Sequence, residues 1–142
     1  MRCAEALEHP PPPKPDMPII WVAAAALIDS DNRILIAQRP DGKSMAGLWE
    51  FPGGKIKKHE KPIDALKREL KEELNIEVKS PRALLNVKHF YTQFRVNLHV
   101  FSCVPKVLPK IDMSRKWLKL NNLRKYPMPS GSSKIVDRLL AM

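Results

Sequence analysis

The chain has 142 residues, 44% of them hydrophobic and 28% charged, which fits one soluble globular domain with a single core. Two cysteines, Cys3 and Cys103, argue against a disulfide framework, and the longest apolar run, Ile19 to Ile28, is too short for a membrane-spanning helix. The net charge of +10 is concentrated late: residues 79–142 hold thirteen Lys and Arg against Asp112 and Asp137 alone, a field that draws polyanions or merely solvates the surface.

Residues 1–17 are polar and Pro-rich, with Pro10 to Pro13 in a row, and are expected to be a disordered tail before a domain of residues 18–142. Residues 1–18 hold no apolar secretory segment, so a reducing cytoplasm is the expected location. Ile19–Ile28 reads as a buried strand. Asp29-Ser30-Asp31-Asn32 has turn chemistry and Ile34–Ala37 is apolar again, so the two runs are predicted to form a hairpin. Residues 40–54 contain Pro40, Gly42, Gly47, Pro52, Gly53 and Gly54, too many breakers for regular structure. A loop that long is more often functional than idle.

Lys61–Leu74 is the clearest helix. Pro62 suits its first turn, and Ile63, Leu66, Leu70 and Leu74 recur at helical spacing as a buried stripe. Asp64, Lys67 and Lys71 fall on the solvent side, and Asn75 stands where a left-handed residue closes a helix. Ile76 and Val78 begin a short extended piece. Ala83–Val87 and Phe94–Val104 read as strands; in the second, Phe94, Val96, Leu98 and Val100 alternate with Arg95, Asn97 and His99, as in a half-buried strand. Trp117–Leu120 reads as a short strand and Ser132–Ala141 as a terminal helix. Strands interspersed with two helices predict a mixed α/β layer fold.

The helix 61–74 contains a local contradiction. Glu69, Glu72 and Glu73 share one face beside the apolar stripe, in the last two turns. Like charges there repel by about 0.2–0.5 kcal/mol per pair, and the helix dipole disfavours them further. Three carboxylates in such a place point to a bound cation, and oxygen-only ligands select the hard ions Mg²⁺ or Mn²⁺. The preceding Phe51-Pro52-Gly53-Gly54-Lys55 supplies bare backbone and one positive charge, and its glycines permit close approach of a phosphate or ion. Arg68, four residues before Glu72, can hold that carboxylate in place.

Gly54, Glu60, Arg68-Glu69-Leu70, Glu72-Glu73 and Asn75-Ile76 resemble the signature box of the Nudix hydrolases, with Asn75 in place of a Gly. Leu35–Pro40, Gly47–Lys55 and Tyr126–Pro129 are similar to MutT-type members, and the resemblance covers residues 19–141. It implies a mixed β-sheet sandwiched between helices (α/β/α). It also implies a Mg²⁺-dependent enzyme, with Mn²⁺ an alternative, that splits a nucleoside triphosphate into a monophosphate and pyrophosphate by attack at the β-phosphorus. In that subfamily the substrate is oxidised dGTP, removed from the nucleotide pool. The position matching Arg39 and the stretch matching Glu50, Phe51, Pro52 and Gly53 would bind the nucleotide. The Gly53 carbonyl and Glu73 would ligate the metal, with Glu69 and Glu72 joining them or orienting the water. No membrane and no stable nucleic-acid complex are expected, and the chain is expected to act as a monomer.

Two departures from the family pattern stand out. Many relatives carry a further Glu shortly before the tryptophan strand, where only Asp112 is acidic here. Relatives also read the base with Asn or Asp after the Pro-Met-Pro segment, and Ser132 falls there; a hydroxyl discriminates base edges less than a bidentate amide. Tyr91 and Phe94 could stack on a base or belong to the core, Lys55 could face a phosphate, and Cys103 reads as a small buried hydrophobe. The rival readings are a different diphosphate substrate, such as a pyrimidine triphosphate or an RNA 5′ end, and a non-catalytic RNA-binding Nudix fold.

Overall fold

A computed structural model describes residues 17–142, so the expected tail, apart from its last residue, lies outside the described residues. Strand β1 (Ile19–Leu27) is the axis of the molecule. From Ala23 to Leu27 it is at most 4% exposed, because both of its faces are covered. Ala23, Ala25 and Leu27 point into one apolar cluster, and Ala24 and Ala26 into another. This is strand periodicity at work: successive side chains alternate between faces, and small alanines keep both faces flat enough for close packing. The single core expected from composition is therefore two clusters, one on each side of a sheet.

That sheet has the order β4-β1-β6-β5, where β4 is Gly53–Lys55, β5 is Val78–Phe90 and β6 is Arg95–Pro105. It is mixed: β1 runs parallel to β6 and antiparallel to β4. A second, antiparallel sheet has the order β3-β2-β7, built from β2 (Ile34–Gln38), β3 (Trp49–Glu50) and β7 (Arg115–Leu118). Helix α1 (Pro62–Leu74) buries Ala65, Leu66, Leu70 and Leu74 against the cluster of Ala23, Ala25 and Phe101. Helix α2 (Ser130–Leu140) buries Ile135, Val136 and Leu139 against the opposite cluster. The expected α/β/α layering is present.

The hairpin predicted from residues 19–37 is corrected. The chain does reverse at Asp29–Asn32: the Asp29 carboxylate accepts the N–H groups of Asp31 and Arg33, and Asn32 takes φ 61°. Yet β1 and β2 do not pair, and the single bridge Ile28–Ile34 lies just past the end of β1, because β4 and β6 already occupy both edges of β1. The breaker-rich stretch 40–54 is not wholly irregular either; β3 and the first two residues of β4 lie inside it. The pieces expected at 76–78 and 83–87 join into one long strand, β5, with register shifts around Ser80, Pro81 and Leu84. Pro81 is tolerated because β5 lies at the sheet edge, where a missing N–H leaves no partner unpaired. Strand β7 begins two residues before the predicted one, and Leu120 opens a 3₁₀ turn (Leu120–Lys125) instead of ending it. Helix α2 starts at Ser130, not Ser132.

Candidate active site

Helix α1 starts on Pro62 and stops on Asn75, which adopts φ 54° and ψ 42°. The Asn75 N–H closes onto the Lys71 carbonyl at 3.0 Å, as expected of a left-handed terminator. This sets the phase of the helix, and with Leu66, Leu70 and Leu74 buried, Glu69, Glu72 and Glu73 are turned towards β4. All three line one cavity of about 930 Å³ together with Gly53, Gly54 and Lys55. Arg39, Glu50, Phe51, Leu98, Ser132 and Ile135 line the same cavity.

Arg68 does not enter the cavity but organises its wall. Its guanidinium grips Glu60 in a fork, Nε to Oε2 and Nη2 to Oε1, both at 2.9 Å. It also donates to the Lys55 carbonyl at 2.9 Å and to Glu69 at 2.8 Å. Glu72, the partner expected from i,i+4 spacing, is only a distant 3.5 Å contact. The tertiary pairing with Glu60 wins because it is bidentate, and it ties the loop before α1 to the helix. The Arg68 side-chain hydrogen bonds, followed by the Lys57 N–H, pull the Glu60 carboxyl down to about 2, and the Glu60 bonds raise the Arg68 guanidinium above its ordinary value.

Glu73 has a different environment. It is open to the cavity, and its Oε2 accepts the Gly53 N–H at 3.2 Å. Desolvation by the cavity wall raises its carboxyl most; the Gly53 bond opposes this, and the charges of Glu50 and Glu69 raise it further, to about 7. Glu69 lies so close to the backbone that a Cβ on Gly54 would overlap its carboxylate, and a Cβ on Gly53 would overlap the Ala23 carbonyl across β1–β4. Among the described residues no three acidic, His or Cys side chains close on one point. Glu69 is instead turned to Arg68, and Glu73 to the Gly53 N–H. The donor set nevertheless suits a hard cation: it is oxygen-only, negatively charged in excess, and includes one carboxylate already reluctant to ionise without a cation beside it.

The remaining sequence-derived residues divide. Arg39 Nη1 donates to both Glu50 carboxylate oxygens at 3.0 and 2.7 Å, and Arg39 Nε donates to the Ser44 carbonyl at 2.8 Å. Phe51, 4% exposed, forms part of the cavity floor. Pro52 is fully buried, does not line the cavity, and offers its carbonyl to Ala25 N–H. Tyr91 is not brought into the cavity: it stacks on Phe94 at 4.9 Å, and its hydroxyl accepts the Gly131 N–H near the start of α2. Asp112 also stays outside; its carboxylate accepts the N–H and hydroxyl of Ser114, which hold it below the usual range. Cys103 is 3% exposed, and desolvation raises its thiol to about 12, as for an inert core residue. Gln38, Lys43 and Arg115 line the cavity without having been singled out, because no motif spacing links them to the carboxylates in sequence.

A family model described as NUDIX domain matches residues 23–138. The CTP pyrophosphohydrolase of Escherichia coli K12 is 57% identical over 122 residues, covering 83% of this chain and 90% of that protein. The 8-oxo-dGTP diphosphatase of Buchnera aphidicola is 32% identical over 117 residues, covering 82% and 90%. Among solved structures, that of the E. coli ORF135 protein superposes with a TM-score of 0.74 at 29% identity, covering 92% of this chain and 94% of that one.

Proposed function

Because this chain belongs to the Nudix family and is a hydrolase of phosphoric anhydrides, we propose that it is a Mg²⁺-dependent nucleoside triphosphate pyrophosphohydrolase acting on oxidised dGTP in the cytoplasm. The observation that carries this reading is the shared cavity. Its walls combine Glu69, Glu72, Glu73 and the glycine-bared strand Gly53–Lys55 with the apolar Phe51, Leu98 and Ile135 and the Ser132 hydroxyl. A nucleoside triphosphate carries both a polyanion and a planar base, and the cavity offers charged and apolar walls to both.

Glu69, Glu72, Glu73 and Gly53 would hold the metal. When bound, a divalent cation offsets phosphate charge and lowers the pKa of water. Glu73 is turned into the cavity with one oxygen on the Gly53 N–H, and a carboxylate of this array would accept or orient the proton of the attacking water. Arg68 fixes Glu69 while Glu60 fixes Arg68, so the carboxylate array is set before substrate arrives. Lys55 faces the phosphates. The base lies on Phe51 and Leu98, with the Ser132 hydroxyl at its edge. Products are the nucleoside monophosphate and pyrophosphate. Removing the oxidised nucleotide from the pool keeps the damaged base out of DNA.

The similarity to the relative named CTP pyrophosphohydrolase supports a second reading, in which a pyrimidine triphosphate is the substrate of the same site. One experiment separates the two. Pyrophosphate release is followed over oxidised dGTP, dGTP, CTP and dCTP, with Mg²⁺ or Mn²⁺ and with excess chelator. Oxidised dGTP is expected to give the highest kcat/KM, and activity is expected to vanish in chelator. Highest kcat/KM for CTP transfers the assignment to pyrimidines, and full turnover in chelator defeats the metal role.

A further inference from the structure

Arg115 faces the cavity that holds Glu73, and nothing assigned above to metal or phosphate accounts for it. It is the first residue of β7 and is held firmly. Its N–H donates to the Asp112 carbonyl at 3.2 Å, closing the turn in which Ser114 is bound by the Asp112 carboxylate. Its guanidinium donates through Nη1 to the Lys110 carbonyl at 2.8 Å and through Nη2 to the Glu73 carbonyl at 3.1 Å. Both acceptors are neutral backbone groups. The ion pairs formed among the described residues do not include Arg115.

Arg39 supplies the contrast. Its guanidinium is also in the cavity but is taken up by both oxygens of Glu50. A guanidinium carries five N–H donors in a planar fork. Arg115 uses two of them on carbonyls, which fixes its direction without neutralising its charge. The result is an oriented cation bonded to no carboxylate, its charge felt by Glu73, in a cavity whose occupant by the reading above is a polyanion. Asp112, the acid next to it in sequence, is turned away to Ser114 and does not line the cavity.

We propose that Arg115 is a substrate-positioning residue that grips a phosphate oxyanion of the nucleotide from the β7 wall. This rests on the triphosphate reading. The competing role is a mere latch, in which the bond to the Glu73 carbonyl holds β7 to the end of α1. A latch alters thermal stability, whereas a phosphate contact alters substrate affinity.

The test compares wild type, Arg115→Gln and Arg115→Lys, with Arg138→Gln as an exposed control that removes the same charge outside the cavity. Steady-state kinetics are paired with calorimetric binding of a non-hydrolysable imido-triphosphate nucleotide in Mg²⁺. Loss of a charge-assisted contact is expected to raise both KM and the analogue Kd of Arg115→Gln by about tenfold to a hundredfold. Its kcat should change much less, Arg115→Lys should recover part of the affinity, and Arg138→Gln should resemble wild type. An Arg115→Gln protein with unchanged KM and Kd overturns the proposal, whatever happens to its Tm. Should that variant fail to fold, Arg115→Lys decides: a several-fold rise in Kd supports the contact, and an unchanged Kd overturns it. Failure of wild type to bind the analogue would overturn the triphosphate reading and this contact together. Wild-type binding matched by Arg115→Gln sinks only the role of Arg115.

Discussion

Glu73 is poorly placed for folding, and the proposed reaction gives it a use. Its folded-state carboxyl, raised to about 7 from an ordinary 4.5, makes ionisation on folding unfavourable. Stability from this group is full below the unfolded value and declines as pH rises through the folded value. Glu73→Gln is therefore expected to be at least as stable as wild type in chelator above pH 7, with no gain below pH 4. Its activity should fall by about a hundredfold or more, as for loss of a catalytic carboxylate. Thermal melts and pyrophosphate release test the two halves, and wild-type turnover in the variant would remove Glu73 from the site. Ser132 offers a subtler case. Its hydroxyl can rotate or take a water, so a mismatched base edge leaves no buried group unpaired. Ser132→Asn should sharpen the preference for oxidised dGTP over dGTP by about tenfold, the lower end of what a bidentate amide contributes. An unchanged kcat/KM ratio would show that the hydroxyl does not read the base.

At the scale of elements, the join between β4 and α1 decides most. Gly53 and Gly54 are neighbours with different jobs. A Cβ at Gly53, where φ is 149°, meets backbone of β1, which cannot yield without opening the sheet. The three atoms nearest a Cβ at Gly54 all belong to the Glu69 side chain. Gly53→Ala should thus cost on the order of 1–3 kcal/mol of stability along with activity. Gly54→Ala should keep most of its stability yet lose metal affinity, because Glu69 must move aside. Equal loss of Tm in both variants would contradict this division. The Glu60–Arg68 fork ties the same join together, and its pH behaviour has the opposite sign to that of Glu73. The Glu60 carboxyl lies near 2 in the folded chain. Its contribution is present above pH 4.5 and is lost as pH falls through about 2. Glu60→Gln should lower Tm at neutral pH and flatten the acid limb of the Tm–pH curve; an acid limb identical to wild type would show that the fork does not contribute.

On the scale of the whole molecule, residues 79–142 hold thirteen Lys and Arg against two acids, an excess that gives the chain a basic field. Long-range attraction of this kind acts on encounter and is screened over about 8 Å at physiological salt. Added salt should therefore lower kcat/KM while leaving kcat less changed. A flat response from 20 to about 300 mM salt would mean the charge only solvates the surface.

The carboxylate cluster was legible in local sequence because it is local in space. The carboxylates lie on one helix, and spacing alone puts Glu69, Glu72 and Glu73 on one side of Leu66 and Leu70. Asn75 was readable as the stop because a left-handed residue is a single-position requirement. The layer fold was also accessible, since the unbroken apolar run in β1 and the period-3.6 stripe in α1 each announce faces to be covered. Tertiary structure decided what depends on partners distant in the chain. It separated β2 from β1, because the edges of β1 were filled by β4 and by β6, more than seventy residues further along. It gave Arg68 to Glu60 in preference to Glu72, because two-point geometry outweighs helical proximity. It turned Tyr91 towards Gly131, Asp112 towards Ser114, and Arg115 into the cavity. Helical spacing fixes neighbours one turn apart, but which loop residue faces a cavity is set by packing between strands that no local pattern encodes.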